Sequence, residues 1–541
     1  MLMNVRIHAS LVTAVSVLAL GGTALISQAP ATADQAETHQ SDEFLLLGSP
    51  NRGAGEPMVV VNATDPANIL VVAMATLNRL PSGETPIIPR GTPAATLLRV
   101  KELSTPDGSR TDIAVSSDGG RTWSFSEDHF RRAFDKNRCS DSFAGGGPDG
   151  TLYMGCLAYL NRGAADFDMG YAPNGEARNM HGGSAIASSS DKGKTWTSPT
   201  WVHPAQTPSV YAPGLNPVFE QASPWDRPYF AADASTGTIY LSGSGPAYTV
   251  DPKTVTRPAV DAGVPGMGYT GYPPSSVTRG RTFIRASRDQ GRTWGLIQAM
   301  DSDGFPGGRG SFSAAHGHLA VAYTATQVPA AEQAQCPCTV FGTSEDEGKS
   351  FSYRVVPPLA AAAAAPAPSP APPPSTAGRG APGGGRGGGG GVLVSADPTQ
   401  ANRYAIARQS GQAILISITS DGGRTWAGPV VAAQVPTGVT FGHRAMKYSA
   451  SGDIGLIWKA AYADRSFDVW SALSRDGGRT FKTVRVSHAV SPTYLAERGN
   501  FMFGDDLSSL DIDGQFLHVV WGDNRAGFQA TWYGRVPLSA Y

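Results

Sequence analysis

Acidic and arginine side chains recur just ahead of apolar, strand-like runs along this chain. Glu56 precedes PMVVVN, Asp141 precedes SFAGG, Asp226 and Arg227 precede PYF, and Arg309 precedes GSFSA. His443-Arg444 and Asp505-Asp506 stand in the same kind of position further on, while Asp523 and Arg525 follow a run in WGDNR. Any one of them alone is most simply a solvated turn residue. Their recurrence before most of the runs would ring one pocket with carboxylates and guanidinium groups, provided the runs converge. Such a ring suits glycan chemistry. Cleaving a glycosidic bond needs two opposed groups at an oxocarbenium-like centre, and Asp141, Asp226 or Asp506 can serve as the acid. A carboxylated sugar needs planar, two-pronged donors, which Arg227, Arg309 and Arg444 can supply, with Arg525 and Glu56 beside them. Tyr494 and Glu497, in TYLAE, can form a Tyr–Glu pair, or Tyr494 can be an ordinary aromatic of a loop.

The elements that must position these residues announce themselves through a repeat. SSDGGRTW (116–123), SSDKGKTW (189–196), SRDQGRTW (287–294), SEDEGKSF (344–351), TSDGGRTW (419–426) and SRDGGRTF (474–481) share the pattern S/T-x-D-x-G-x-T/S-W/F. The aspartates Asp118, Asp191, Asp289, Asp346, Asp421 and Asp476 are 73, 98, 57, 75 and 55 residues apart. The shorter spacings fit one four-stranded antiparallel unit, and the longer ones carry insertions. The motif has the chemistry of a hairpin turn: the carboxylate accepts from the turn's own N–H groups, and the second Gly allows a left-handed conformation. A calcium loop would need an acidic ladder that is missing. GKT and GKS lack the upstream Gly of a phosphate loop, and GMGYTG at 266–271 sits in a Pro- and Gly-rich stretch with no helix after it. The six motifs are read as structural, and neither a metal nor a cofactor is expected.

The repeat resembles the Asp-box, or BNR, motif of the sialidase superfamily and of other Asp-box β-propellers, over roughly residues 43–541. The resemblance implies an all-β fold of four-stranded antiparallel blades, with the box between the third and fourth strands, on the rim away from the ligand. Strand-like runs before each box support this: MVVVN, NILVVAMAT, TLYMGCLAYL, TIYLSGSG, HLAVAYTAT, YAIARQ and IGLIWKAAY. A box-less unit, 506–536, follows the last motif, and EFLLL at 43–47 can supply its missing outer strand and so pair both chain ends. That makes seven blades, with six, as in catalytic sialidases, as the alternative. In sialidases a Tyr replaces one carboxylate as nucleophile, a role open to Tyr494 with Glu497. The family's early R-I-P strand is absent here: Arg52 stands near EPMVVVN, but no Ile-Pro follows it. No residue is therefore carried over to the first Arg position.

Composition agrees with the repeat. Gly (65) and Pro (41) make about a fifth of the 541 residues, too much punctuation for long helices. With 43 basic and 44 acidic side chains, the chain has no electrostatic footprint for nucleic acid. Residues 1–33 read as an export signal: Arg6, an apolar run too short to span a bilayer, then Ala31-Thr32-Ala33. A secreted or periplasmic protein is expected, with a short extension at 34–42, a propeller from 43 to 541, and no stable membrane span after cleavage. Cys139 and Cys156 flank a hairpin turning at 147–150, so a disulfide or two buried thiols are open to them. Cys336-Pro337-Cys338 can be a local disulfide or two free thiols. The Ala/Pro/Gly-rich stretch 357–391 has almost nothing to bury and reads as a disordered insertion. Two functions remain: an exported glycoside hydrolase of exo-alpha-sialidase type, or a non-catalytic propeller that binds glycan or protein. The expected partner is a glycan or small anion in the central pocket of a monomer.

Overall fold

The computed structural model describes residues 40–48, 52–77, 109–127, 138–159, 182–204, 220–222, 228–249, 277–295, 298–307, 310–359, 391–463, 466–491, 507–526 and 529–541. The unit spanning residues 39–541 is a seven-bladed, all-β propeller. The first six blades follow one another along the chain, at 52–127, 138–204, 220–299, 311–355, 393–434 and 440–485. Blade 7 joins three C-terminal strands to one from the other end of the chain. Asp42–Leu47 pairs antiparallel with Ala530–Pro537, outermost in the order Asp42–Leu47, Ala530–Pro537, Phe516–Asp523, Ser508–Ile512. The seven-blade expectation and its closure by the run at 43–47 both hold. Blade 3 differs in one respect: its innermost strand is in two pieces, Glu220–Ala222 and Phe230–Ala232, both paired with Ile239–Thr249.

The middle strands are continuous apolar runs because both of their faces are covered by neighbouring blades. Seven hydrophobic clusters occupy the seven junctions among the described residues. At the junction of blades 7 and 1, for example, Leu46, Leu47, Val520 and Tyr533 meet Val59, Ile69 and Val71. Each such side chain contributes roughly 1.5–3 kcal/mol when fully buried. The innermost strands touch one another all the way round the ring.

The repeat loops join the third and fourth strands of blades 1 to 6 and share one bonding scheme. In the first, Ser116 Oγ donates to Asp118 Oδ1 (2.9 Å) and accepts from Gly120 N (2.8 Å), while Thr122 donates its N–H to Oδ1 and its hydroxyl to Oδ2 (2.6 Å). The hydroxyl-to-Oδ2 bond is 2.6 Å in the other five as well. The Gly two residues after the Asp has φ between 83° and 88° in all six loops. A Cβ there would press on the preceding blade in five loops, on Tyr533 at Gly120, Val115 at Gly193, Ile284 at Gly348, Phe341 at Gly423 and Ile418 at Gly478, and would make ordinary contact with Ile186 at Gly291. Each named neighbour lies on that blade's third strand, so the loop that closes one hairpin also seats its blade on the one before.

Cys336 and Cys338 are joined to each other. Cys156, fully buried, is disulfide-bonded, whereas the Cys139 side chain lies outside the described residues. The leader at 1–33, the extension as far as 39, and 360–390 of the insertion also lie outside them.

Candidate functional site

The innermost strands of all seven blades enclose a central channel of about 600 Å³. Met58, Phe230, Phe312 and Met446 give it an apolar wall, on which Lys447 Nζ pairs with Asp511 Oδ1 at 2.7 Å. An innermost strand has one edge without a ladder partner, and a buried N–H left unmet there is costly. Side chains of the preceding blade meet it. Ser509 Oγ accepts from Val59 N and Asp511 Oδ2 from Val61 N; Ser311, Ser313 and Ser395 do the same for Val394, Ala396 and Tyr448. Part of the polar lining is thus committed to holding the ring.

The strands begin on the face opposite the repeat loops, and there the pairing is interrupted. Blade 1 has a bulge between Gly55 and Met58, and blade 2 has the equivalent one between Ser140 and Phe143. Glu56 (φ 50°) and Asp141 (φ 44°) occupy these bulges in the left-handed region, which residues with a Cβ enter rarely. Both lie on innermost strands of adjacent blades, Arg52–Asn62 and Arg138–Gly146. A third bulge, in blade 6, lies between Phe441 and Arg444. Arg444 is only 3% exposed, donates from Nη1 to Gln409 Oε1 of blade 5 at 2.9 Å, and has its pKa pushed down to about 10 by burial. It still carries its charge at neutral pH. His443 and Arg444 both line the channel.

Arg525 is engaged elsewhere. Its Nε and Nη2 reach Asp523 Oδ2 at 2.9 and 2.8 Å, Nη2 also pairs with Glu43, and the guanidinium lies 4.0 Å over Trp532. Asp523 and Arg525 therefore fasten the N-terminal strand into blade 7. Asp226, Arg227, Arg309, Tyr494, Glu497, Asp505 and Asp506 lie outside the described residues.

One polar cluster on this face had no sequence signal. Asp468 accepts from Tyr462 Oη (2.5 Å), Arg485 Nη2 (2.7 Å) and Ser487 Oγ (3.2 Å). Burial, then the Asp468 carboxylate, pushes the Tyr462 phenol up to about 12. Tyr462 and Asp468 meet because the hairpin of Ile454–Ala461 with Phe467–Ser474 opens toward the mouth; no spacing rule foretells that. Among the described residues, no three His, Cys, Asp or Glu side chains converge as a metal site would need.

No protein-family model matches the chain, and no curated protein matches it. Solved structures resemble it in fold. A protein of unknown function from Dyadobacter fermentans is 12% identical, with TM-score 0.44, over 91% of this chain and 97% of that one. A Trypanosoma rangeli sialidase bound to 2,3-difluoro-KDN is 12% identical, with TM-score 0.39, over 92% of this chain. This chain spans only 58% of that sialidase. The intramolecular trans-sialidase from Ruminococcus gnavus, bound to oseltamivir carboxylate, is 14% identical, with TM-score 0.38, over 74% of this chain and 94% of that one. Likeness at this level carries no catalytic residue, family or activity across to this chain.

Proposed function

We propose that the protein is an exported, sialidase-like propeller directed at glycans, which releases a terminal sialic acid or a related sugar at the channel mouth. One observation carries this reading: two acidic residues, Glu56 and Asp141, occupy equivalent left-handed bulges of adjacent innermost strands. A left-handed residue with a Cβ costs about 1–2 kcal/mol, and such costs cluster where side-chain aim serves binding or chemistry. In this reading Asp141 is the acid, with Asp226 and Asp506 as alternatives. Arg444 receives a carboxylate together with Arg227 and Arg309, and Tyr494 with Glu497 attacks the anomeric carbon. The acid gives its proton to the leaving oxygen, so it must be protonated when substrate binds.

The count of seven blades favours a second reading, in which the same mouth binds a glycan or protein without cleaving it. The two part on a fluorogenic sialoside. Turnover by the wild-type protein, reduced at least ~100-fold in Asp141→Asn at unchanged melting, is the outcome expected of the enzyme. Binding of sialic acid without turnover would leave the second reading. Neither turnover nor binding at millimolar sialic acid would remove both sialic acid readings.

A further inference from the structure

The bond between Cys336 and Cys338 has no evident structural task. The two residues are two positions apart, so closing the ring between them removes little freedom from the unfolded chain; a cross-link gains with the length of the loop that it closes. It joins no two elements either. Cys338 opens the third strand of blade 4, on the last rung of the ladder, opposite Ala325, and Cys336 lies just beyond that rung in the connection 326–337. That connection already has backbone bonds of its own: Thr326 N donates to Pro306 O (2.9 Å), Glu332 N to Pro329 O (2.9 Å) and Gln333 N to Ala330 O (3.2 Å). Both cysteines are partly exposed. The connection joins second and third strands, so it lies on the mouth face, opposite the repeat loops. Cys156 is the contrast: it is disulfide-bonded and fully buried in the cluster between blades 1 and 2.

From this contrast we infer that Cys336–Cys338 is a thiol–disulfide exchange site, open to small thiols such as glutathione while the propeller stays folded. The thiolate of one glutathione attacks Sγ of either cysteine. The S–S bond breaks, the departing sulfur takes up a proton, and a mixed disulfide is left. A second glutathione attacks that mixed disulfide, releases the second protein thiol and leaves as oxidised glutathione. Two electrons pass from two glutathiones to one protein disulfide, and the reverse sequence restores it. Exchange requires an approach to sulfur: Cys336 and Cys338 are partly exposed, with Cys338 resting on the core between blades 3 and 4, whereas Cys156 is fully buried.

The test uses the full folded protein, treated with graded reduced and oxidised glutathione, quenched, alkylated and mapped by mass spectrometry. Cys336 and Cys338 are expected to label as a reversible pair, at least about tenfold faster than Cys156, with melting unchanged. Hydrogen exchange should rise only across 326–338. Cys336→Ser with Cys338→Ser should melt like the wild type and lose the fast labelling, leaving that at Cys156 unchanged. Labelling of Cys336 and Cys338 no faster than that of Cys156, or only alongside global unfolding, would overturn the inference. So would a marked fall in melting in the double variant, since the bond would then be structural.

Discussion

At the scale of single residues, the six loop aspartates show how a charged group can be structural while remaining near solvent. Hydrogen bonds from the Thr195 hydroxyl, then from the Thr195 N–H, hold Asp191 at a pKa of about 2. Asp421 and Asp476 are lowered in the same way, by Thr425 and Thr480. At Asp118, burial pulls upward, but the bonds from Thr122 and Ser116 outweigh it. These carboxylates sit below their unfolded value of ~4, so their contribution is complete above that value and is lost as pH falls through the folded one. The melting temperature should therefore hold from neutral pH to about 4 and drop between about 4 and 2. Asp191→Asn should flatten part of that drop in scans at stepped pH; an unchanged profile would show that other groups govern acid unfolding. The loop glycine is the complementary case. Gly423 has φ 86°, and a Cβ there would come 2.5 Å from Phe341. Gly423→Ala should cost about 1–3 kcal/mol by overpacking, read by denaturant titration, whereas Gly411→Ala, with open space around it, should cost less.

Among elements, hairpins were legible in sequence, but the irregular parts of the innermost strands were not. Apolar, β-branched and aromatic runs with bounding turns marked the strands because a blade's middle strands are apolar on both faces. The bulges at Glu56 and Asp141, and the divided strand of blade 3, depend on how neighbouring strands register, and composition does not encode that. The inserted stretch tests the element scale directly. Arg408 Nη1 donates to Pro357 O at 2.7 Å, and Val392 is buried, so the ends that flank the stretch are anchored on blades 4 and 5. Replacing 360–390 with a short Gly/Ser linker should change stability by less than about 1 kcal/mol, because closure entropy depends weakly on loop length. Cooperative melting well below that of the wild type would show that the replaced stretch packs.

For the whole molecule, the closing contact joins the two ends of the chain. Ser41 Oγ donates to Val486 O (2.8 Å), Asp42 pairs with Arg535 (2.7 Å), and the Glu43 carboxylate is buried against Arg525 and His488. Burial raises the Glu43 pKa, and Arg525 opposes that rise. Leu46 and Leu47 complete the apolar junction of blades 7 and 1. A chain starting at Asp34 should melt as a single ring. A chain starting at Gly48 should instead expose the edge of Ala530–Pro537, melt lower and associate on gel filtration. Equal melting and a monomeric profile for both would mean that the N-terminal strand is dispensable.

The sequence by itself determined the all-β class, the six loops with their Asp chemistry, the seventh box-less blade and the strand that closes it. Each of these follows from local turn chemistry and from apolar runs repeated along the chain, which need no knowledge of distant neighbours. Only the tertiary structure decided what the charged residues do. It set Glu56 and Asp141 in left-handed bulges, bonded Arg444 to Gln409 in the wall of blades 5 and 6, and committed Arg525 to ring closure. It also brought Tyr462 to Asp468. A charge written in sequence is the same whether it meets water, a substrate or a partner 482 residues away, as Arg525 meets Glu43; the folded ring supplies the partner, and with it the role.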